Sequence, residues 1–222
     1  MMIGTDFPKN HLPDDDAVGF LADVTPVLAR ADIAFGNLEG VLMEDGEPAK
    51  KCRNLNACYL FRSPPRYAQH FRDAGFDVVS LANNHARDFG EKGRDASSRA
   101  LHEAGVLASG RAGTWSSLSH GDLSVAFLNY AVTKNSNMLL DHEGAIEWIA
   151  SFDEMYDIVV VKFHGGAEGD DKTHVPFDEE YYYGEPRCEV GRFALRAVDV
   201  GAYIVIGHGP HVLLGMERYK DL

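Results

Sequence analysis

The stretch DVVSLANNHARD, residues 77–88, begins as a buried strand and ends in a group of polar side chains. Its apolar part stops at Asn83, Asn84 and His85, and Asp88 follows. Asparagine tolerates the unusual backbone angles of a turn, so a turn accounts for the two amides but not for the histidine. Other apolar runs of the chain end in the same way, and this recurrence predicts both the fold and a site.

Five short apolar runs predict the strands. They are nearly continuous rather than alternating, which is typical of strands that are covered on both faces of a sheet. The runs are ADIAF (31–35), DVVSLA (77–82), LSVAFLNYA (123–131), DIVVVKF (157–163) and AYIVIG (202–207).

Helical patterns separate these runs and indicate an α/β fold. Ser63 is placed to cap the first helix, and Gly75 and Gly105 stand where two of the helices should end. Strands that alternate with helices predict a layered α/β fold, here one domain over residues 1–222. The four helical patterns span residues 63–75, 90–105, 143–156 and 189–201.

Two segments without such patterns, 40–62 and 165–186, are predicted to be long loops. Loops of this length in a compact domain are usually functional or covering segments. Three cysteines are too few for a disulfide framework. Cys52 and Cys58, in the first loop, could close a small ring or remain free thiols, and neither they nor Cys188 is expected to act as a nucleophile.

The composition describes an acidic globular chain of 222 residues with a formal net charge of −13. This charge argues against binding to nucleic acid or to an anionic membrane, although it is compatible with metal cations that hold an anionic substrate. No apolar run approaches the roughly 18 residues of a membrane helix, and the N-terminal segment lacks the features of a signal peptide. The chain by itself is expected to be soluble, with any signal or anchor outside it.

Four of the predicted strands are followed by histidine, asparagine or carboxylate side chains. The carboxyl ends of strands line the ligand crevice of open α/β sheets, so we expect these side chains to converge on one site. Imidazole, amide and carboxylate donors together suit Zn, Mn or Fe rather than Ca. The residues are Asn37 and Glu39 after the first run, Asn84, His85 and Asp88 after the second, His164 and Glu168 after the fourth, and His208 and His211 after the fifth.

Each of these residues also has a simpler interpretation when it is taken alone. His85 could cap a helix or bond within a loop, Asn84 could be a turn residue, and Glu39 could be a solvated carboxylate. The pair formed by His208 and His211 is more specific, because two histidines follow one buried strand within four residues. The other histidines are assigned to amphipathic helices (His70, His102), to polar loops (His11, His120, His142) and to a surface loop that could still line the site (His174).

The chain resembles the CapA family of poly-γ-glutamate capsule biosynthesis proteins, within the calcineurin-like metallophosphoesterase superfamily. The resemblance implies a layered α/β/β/α sandwich with a metal site at the carboxyl ends of its strands. It runs essentially from end to end of the chain and is carried by ADIAFGNLEG (31–40), GFDVVSLANNHARDFGEKG (75–93), VVKFHGGAE (160–168) and IGHGPHVLLGMERY (206–219).

The resemblance also implies roles for individual residues. His85, oriented by Asp88, would stabilise or protonate the leaving group, while water activated by the ions attacks. Asn37 is a possible contributor beside Glu39. The implied ligands of one or two divalent ions, Mn, Zn or Fe, are Glu39, Asn84, His164, His208 and His211.

Several positions depart from the family's pattern. Gly165 stands where the family usually has tryptophan, Gly209 where it has a middle histidine, and Tyr203 where it has aspartate. The first-strand Gly-Asp pair, which supplies the superfamily's first metal ligand, would precede Met1, and Asp6 lies too late to replace it well. A further strand with Y-S-L-G-N-F would follow the last residue, so the sequence predicts a domain trimmed at both ends.

The function that the resemblance implies is a metal-dependent, hydrolase-like domain associated with capsule or poly-γ-glutamate synthesis. The reaction is left open between phosphoester hydrolysis and transfer or hydrolysis at a γ-glutamyl amide. The alternative is a non-catalytic module that binds or assembles an anionic polymer. The expected partners are an anionic substrate or polymer and other capsule-synthesis proteins, in an extracytoplasmic or membrane-associated setting, without nucleic acid and without membrane insertion by this chain.

Overall fold

A computed structural model describes residues 1–51 and 58–220. The chain divides into two compact units, Met1–Ser109 and Gly110–Leu222. Each unit has its own sheet with parallel strands, its own helices and its own apolar core, so the fold is mixed α/β. The ring considered for Cys52 and Cys58 cannot be compared with the structure, because Cys52 lies outside the described ranges. No helix of the described ranges is long and apolar enough to cross a membrane.

The first unit is built on a parallel sheet of three short strands. Its strands along the chain are β1 (Phe35–Asn37), β2 (Val41–Leu42), β3 (Arg62–Ser63), β4 (Val78–Ser80) and β5 (Leu107–Ser109). The sheet order is β1-β4-β5, while β2 and β3 form a separate parallel pair. The three strands end level with one another, because Asn37 lies opposite Ser80 and Ser80 lies opposite Ser109.

Three α-helices among the described residues complete the first unit: α1 (Thr25–Leu28), α2 (Ala68–Asp73) and α3 (Gly90–Glu103). The predicted ends of α2 and α3 are confirmed, since Gly75 and Gly105 have φ angles of 97° and 76° that favour glycine. The predicted cap at Ser63 is wrong. Ser63 lies in β3, its hydroxyl donates to the carbonyl of Gly4 at 2.9 Å, and a single 3-10 turn, Pro65–Tyr67, leads into α2.

Among the described residues, the second unit has a larger sheet and two helices, α4 (His142–Asp153) and α5 (Val190–Asp199). Its strands along the chain are β6 (Ser116–His120), β7 (Leu123–Ala131), β8 (Asn137–Met138), β9 (Ile158–His164), β10 (Glu180–Tyr182), β11 (Glu185–Cys188) and β12 (Ala202–His208). The main sheet has the order β12-β9-β7-β6, with β8 paired to β7. Strands β7, β9 and β12 are parallel, β6 is antiparallel to β7, and β10 and β11 form a separate antiparallel pair.

Long apolar runs gave accurate strand predictions, whereas the first run was misplaced. Strands β7, β9 and β12 agree with their predicted ranges to within one residue, and β4 is shorter than predicted. The predicted strand at 31–35 overlaps β1 only at Phe35. The amide of Ala34 donates to the Asp77 carboxylate at 2.8 Å, and sheet pairing with Val78 begins only at Phe35.

Both predicted long loops contain short strands, β2 and the start of β3 in the first and β10 with part of β11 in the second. Two histidines also lie elsewhere than in the predicted polar loops. His120 is the last residue of β6, and His142 is the first residue of α4, where Asp141 caps the helix by accepting from the amide of Gly144 at 3.2 Å.

Candidate functional site

The polar side chains at and just after the ends of β1 and β4 form a hydrogen-bonded network in the first unit. The side-chain amide of Asn83 donates to Asn37 Oδ1 at 3.1 Å and to the carbonyl of Leu38 at 2.7 Å. The amide of Asn37 in turn donates to Glu39 Oε2 at 3.1 Å. The network therefore connects the predicted ligand Glu39 to the turn after β4.

Asn83 and Asn84 have different surroundings. Asn83 is the turn residue, because its Oδ1 accepts from the backbone amide of His85 at 3.0 Å. Asn84 Oδ1 is buried and accepts no hydrogen bond from any residue in the described ranges. A buried acceptor without a donor is costly, and a cation would satisfy it.

His85 and Asp88 are in direct contact, with His85 Nδ1 2.8 Å from Asp88 Oδ2. Asp88 is fully buried; it also accepts from the amide of Phe61 at 2.9 Å and lies 3.3 Å from Lys50 Nζ. The imidazole packs on the Phe61 ring at a centroid distance of 4.4 Å. These contacts fix the Nδ1 side of His85 and leave Nε2 for a ligand. Asp6 is ion-paired with Arg62, with Arg62 Nε 2.7 Å from Asp6 Oδ1.

His164 and His208 are neighbours at the carboxyl ends of β9 and β12 in the second unit. They lie opposite each other in the parallel register, and the amide of Gly165 donates to the His208 carbonyl at 2.9 Å. Residues in register extend from the same face of a sheet, so both imidazoles lie on one side of it. His164 is fully buried.

The surroundings of His208 keep its imidazole neutral. Burial lowers the pKa of His208 to about 4, and the positive charge of Lys162 acts in the same direction. Its Nδ1 is buried and makes no hydrogen bond within residues 1–51 and 58–220. A neutral imidazole with a free ring nitrogen is the form that binds metal ions.

Two glycines that depart from the family's pattern are explained by close backbone approach. A Cβ at Gly165 would lie 2.7 Å from a methyl of Leu139 and 2.9 Å from the carbonyl of Arg187. Gly209 has a φ of 130°, and a Cβ there would lie 2.5 Å from the carbonyl oxygen of Gly165. The segments after β9 and β12 therefore approach each other closely at these two glycines. The third departure, Tyr203, is 51% exposed and lies on the surface.

His211 lies beyond Gly209, with its side chain 59% exposed and its Nδ1 3.4 Å from Glu168 Oε2. His174 is exposed, and its Nδ1 lies 3.1 Å from the hydroxyl of the neighbouring Thr173, in agreement with a surface role. The structure also shows a contact that no sequence pattern indicated, in which His142 Nε2 lies 2.9 Å from the Sγ of Cys188. Burial raises the pKa of Cys188 to about 12, so this thiol stays protonated.

The structure distributes the predicted ligands over both units and forms no complete metal centre among the residues it describes. Glu39 and Asn84 belong to the first unit, and His164, His208 and His211 belong to the second. Within the described part of the chain, no three His, Cys, Asp or Glu side chains form a group that could hold an ion. The donor types fit a borderline divalent ion, and Asn84 and His208 each offer a buried, unbonded donor atom.

Some residues of these networks could not be found from sequence patterns. Lys50 and Phe61 contact the His85 and Asp88 pair from the segment predicted as the first long loop. Arg187 contacts Glu168 from β11, with Nη1 3.2 Å from Oε1. The only signal was indirect, since long loops in a compact domain tend to cover sites.

Comparisons with known proteins agree on one family. The model of the family described as bacterial capsule synthesis protein PGA_cap matches residues 1–222. The capsule biosynthesis protein CapA of Bacillus anthracis is 28% identical over 240 residues, which cover 98% of this chain and 51% of that protein. The PGA biosynthesis protein CapA of Bacillus subtilis (strain 168) is 26% identical over 214 residues, covering 89% of this chain and 52% of that protein. The chain thus spans about half the length of these curated relatives.

A solved structure supports the fold. The crystal structure of a hypothetical protein from Thermus thermophilus matches with a TM-score of 0.54 and 19% identity, over 94% of this chain and 68% of that chain. At this identity the match shows a shared mixed α/β fold.

Proposed function

The chain belongs to the bacterial capsule synthesis protein PGA_cap family, and from this membership we propose that it is a metal-dependent, hydrolase-like domain that acts in capsule or poly-γ-glutamate synthesis. The names of the two Bacillus relatives support a role in this synthesis. The polar residues at the ends of the strands support metal-dependent chemistry. We also propose an extracytoplasmic or membrane-associated setting and other capsule-synthesis proteins as partners.

The ligands of one or two divalent ions, Mn, Zn or Fe, are Glu39 and Asn84 in the first unit and His164, His208 and His211 in the second. Two buried atoms carry this proposal, Asn84 Oδ1 in the first unit and His208 Nδ1 in the second. Each could bind a cation, and neither has a hydrogen-bond partner within the described residues. Burying such atoms without a partner costs about 1–3 kcal/mol each, and binding a cation would offset that cost.

The chain's own residues supply the proton chemistry. When bound, a divalent ion polarises a phosphoryl or carbonyl oxygen and makes water more acidic. His85, held at Nδ1 by Asp88, has Nε2 free to donate a proton or a hydrogen bond to the leaving group of a phosphoester or a γ-glutamyl amide. Asn83 fixes the backbone of His85, so the imidazole is positioned before the substrate binds.

A second candidate is a non-catalytic module that binds or assembles an anionic polymer. The absence of any three grouped His, Cys, Asp or Glu side chains within residues 1–51 and 58–220 favours it, since a catalytic centre usually has a fuller ligand set. With a net charge of −13, such a module would need cations to hold a polyanion.

One comparison distinguishes these two functions. Purified chain loaded with Mn or Zn is assayed for hydrolysis of bis(p-nitrophenyl) phosphate and of poly-γ-glutamate, and for binding of the polymer. The hydrolase proposal expects turnover by the wild type and at least about a hundredfold loss in His85→Asn with metal affinity retained. Polymer binding that requires metal, with no turnover of either substrate, would establish the binding module instead.

A further inference from the structure

Phe61 contacts both members of the His85 and Asp88 pair in the first unit. Its ring packs against the imidazole of His85, with the ring centroids 4.4 Å apart and the ring planes inclined by 41°. Its backbone amide donates to Asp88 Oδ2 at 2.9 Å, and His85 Nδ1 lies 2.8 Å from the same oxygen. The three residues therefore form a closed set of contacts around one carboxylate oxygen.

The contact with Asp88 does not by itself fix the plane of the His85 imidazole. A single bond at Nδ1 holds that atom but still allows the ring to tilt, since the χ2 angle of histidine has a broad distribution. Tilting moves Nε2, the atom that we propose donates to the leaving group. A flat ring packed against the imidazole opposes this movement, and the side chain of His85 is only 7% exposed. Phe61 therefore supplies the constraint that the carboxylate alone does not.

The backbone of Phe61 is itself held in place by its neighbours. Its carbonyl accepts from the amide of Val41 at 3.0 Å, and the next residue, Arg62, donates its amide to Thr5 Oγ1 at 3.0 Å. Gly40 lies against the side chain, because a Cβ built at Gly40 would be 3.1 Å from the Cβ of Phe61. A phenylalanine fixed in this way is a rigid support for the imidazole that packs on it.

We propose that Phe61 is a positioning residue that fixes the plane of the His85 imidazole and so the direction of Nε2. Asn83 fixes the backbone of His85, Asp88 fixes Nδ1, and Phe61 fixes the plane of the ring. With all three constraints, the proton donor is oriented before the substrate binds. Phe61 acts through His85, and the inference rests on the proposed hydrolase function and adds a residue to it.

The Phe61→Leu variant tests this role, because it removes the flat ring but keeps an apolar side chain and the backbone amide that bonds Asp88. ¹³C NMR relaxation of the His85 ring is measured in the metal-free protein. We expect an order parameter of about 0.85 in the wild type, the level of rigid backbone, and below about 0.6 in Phe61→Leu. Phe61→Tyr keeps the ring and should keep His85 rigid. Tyr59→Leu is the matched control, since it removes a 63% exposed aromatic ring from the same segment.

Turnover of bis(p-nitrophenyl) phosphate provides the second readout. A misdirected proton donor slows the chemical step and leaves substrate binding largely unchanged. We therefore expect kcat to fall at least about tenfold in Phe61→Leu, with KM within about twofold of the wild type. Phe61→Tyr and Tyr59→Leu should retain the wild-type kcat. In a His85→Asn background, Phe61→Leu should cause no further loss, because the residue through which Phe61 acts is already gone.

The outcomes separate this inference from the proposed function. A wild type that hydrolyses neither substrate overturns the hydrolase proposal, while relaxation of the His85 ring still tests Phe61. A His85 ring that is as rigid in Phe61→Leu as in the wild type overturns the inference, and so does an unchanged kcat in an active Phe61→Leu protein. Should Phe61→Leu fail to fold, the wild type decides, since a His85 ring as mobile as that of the exposed His174 is incompatible with the role assigned to Phe61.

Discussion

At the scale of single residues, the side chains that follow β4 have separate roles. Asn83 closes the turn with three hydrogen bonds, to Asn37, to Leu38 and from the amide of His85. Asn84 holds a buried oxygen that no described residue satisfies. Of these two adjacent asparagines, Asn83 therefore stabilises the turn, whereas we propose that Asn84 binds a ligand.

This difference predicts opposite effects of two alanine substitutions. Asn83→Ala leaves buried partners unbonded and should lower the free energy of unfolding by about 2 kcal/mol or more. Asn84→Ala should leave stability nearly unchanged and raise the Kd for Mn or Zn. Urea unfolding and calorimetric titration measure the two effects. A stability loss in Asn84→Ala equal to that in Asn83→Ala would show that both amides are structural.

The buried thiol of Cys188 predicts a pH dependence. Its pKa rises from 9.0 to about 12 because burial disfavours the thiolate. The unfolded thiol ionises from about pH 9, so the unfolded state holds fewer protons between pH 9 and 12, and stability falls as the pH rises through this window. At about pH 10, ionisation of the unfolded thiol lowers the free energy of unfolding by about 1 kcal/mol relative to neutral pH.

Denaturant unfolding at about pH 8 and about pH 10 checks the prediction in the wild type and in Cys188→Ala. The wild type should lose more stability between the two pH values than the variant does. Equal losses would mean that Cys188 ionises as readily in the folded protein as in the unfolded chain.

The roles of residues within one short segment were easier to predict than contacts between distant segments. The sequence predicted a turn at the two asparagines, because a turn depends on neighbouring residues, whereas the orienting role of Asp88 was implied by the family resemblance. It could not predict Lys50 or the ion pair of Glu168 with Arg187, because those contacts depend on how distant segments pack.

At the scale of elements, long apolar strands were predicted well and short strands were not. Strands β7, β9 and β12 have seven to nine residues, long enough for the apolar run to dominate. Strands β2 and β3 have two residues each and exist only because they pair with each other. Near the predicted ligands, Gly209 approaches Gly165 closely, and no local sequence pattern predicts that contact.

Gly209→Ala tests this close approach. The new Cβ would meet the Gly165 carbonyl at 2.5 Å in a left-handed backbone conformation, so we expect a loss of about 2 kcal/mol or more and weaker metal binding. Gly215→Ala is the matched control, since no described atom lies within 4 Å of its Cβ and its φ is outside the left-handed range, and it should match the wild type in thermal unfolding and in Kd. A Gly209→Ala protein as stable as the control would contradict the described contact.

At the scale of the whole molecule, charge links the two candidate functions. A net charge of −13 works against the binding of an anionic polymer, so both of the functions that we propose include metal cations. Family membership and a mixed α/β fold follow from the comparisons, and the apolar runs and the motifs at the strand ends were enough to predict both. Bound metal is the property that both proposed functions share.

Equilibrium dialysis against Mn or Zn, with the metal quantified in the protein fraction, tests that property most directly. We predict at least one ion per wild-type chain and a Kd at least about tenfold higher in His208→Ala, which removes the buried, unbonded Nδ1. His174→Ala, at an exposed histidine, should bind as the wild type does. A wild type without bound metal, or a His208→Ala variant that binds as tightly as His174→Ala, would contradict the account.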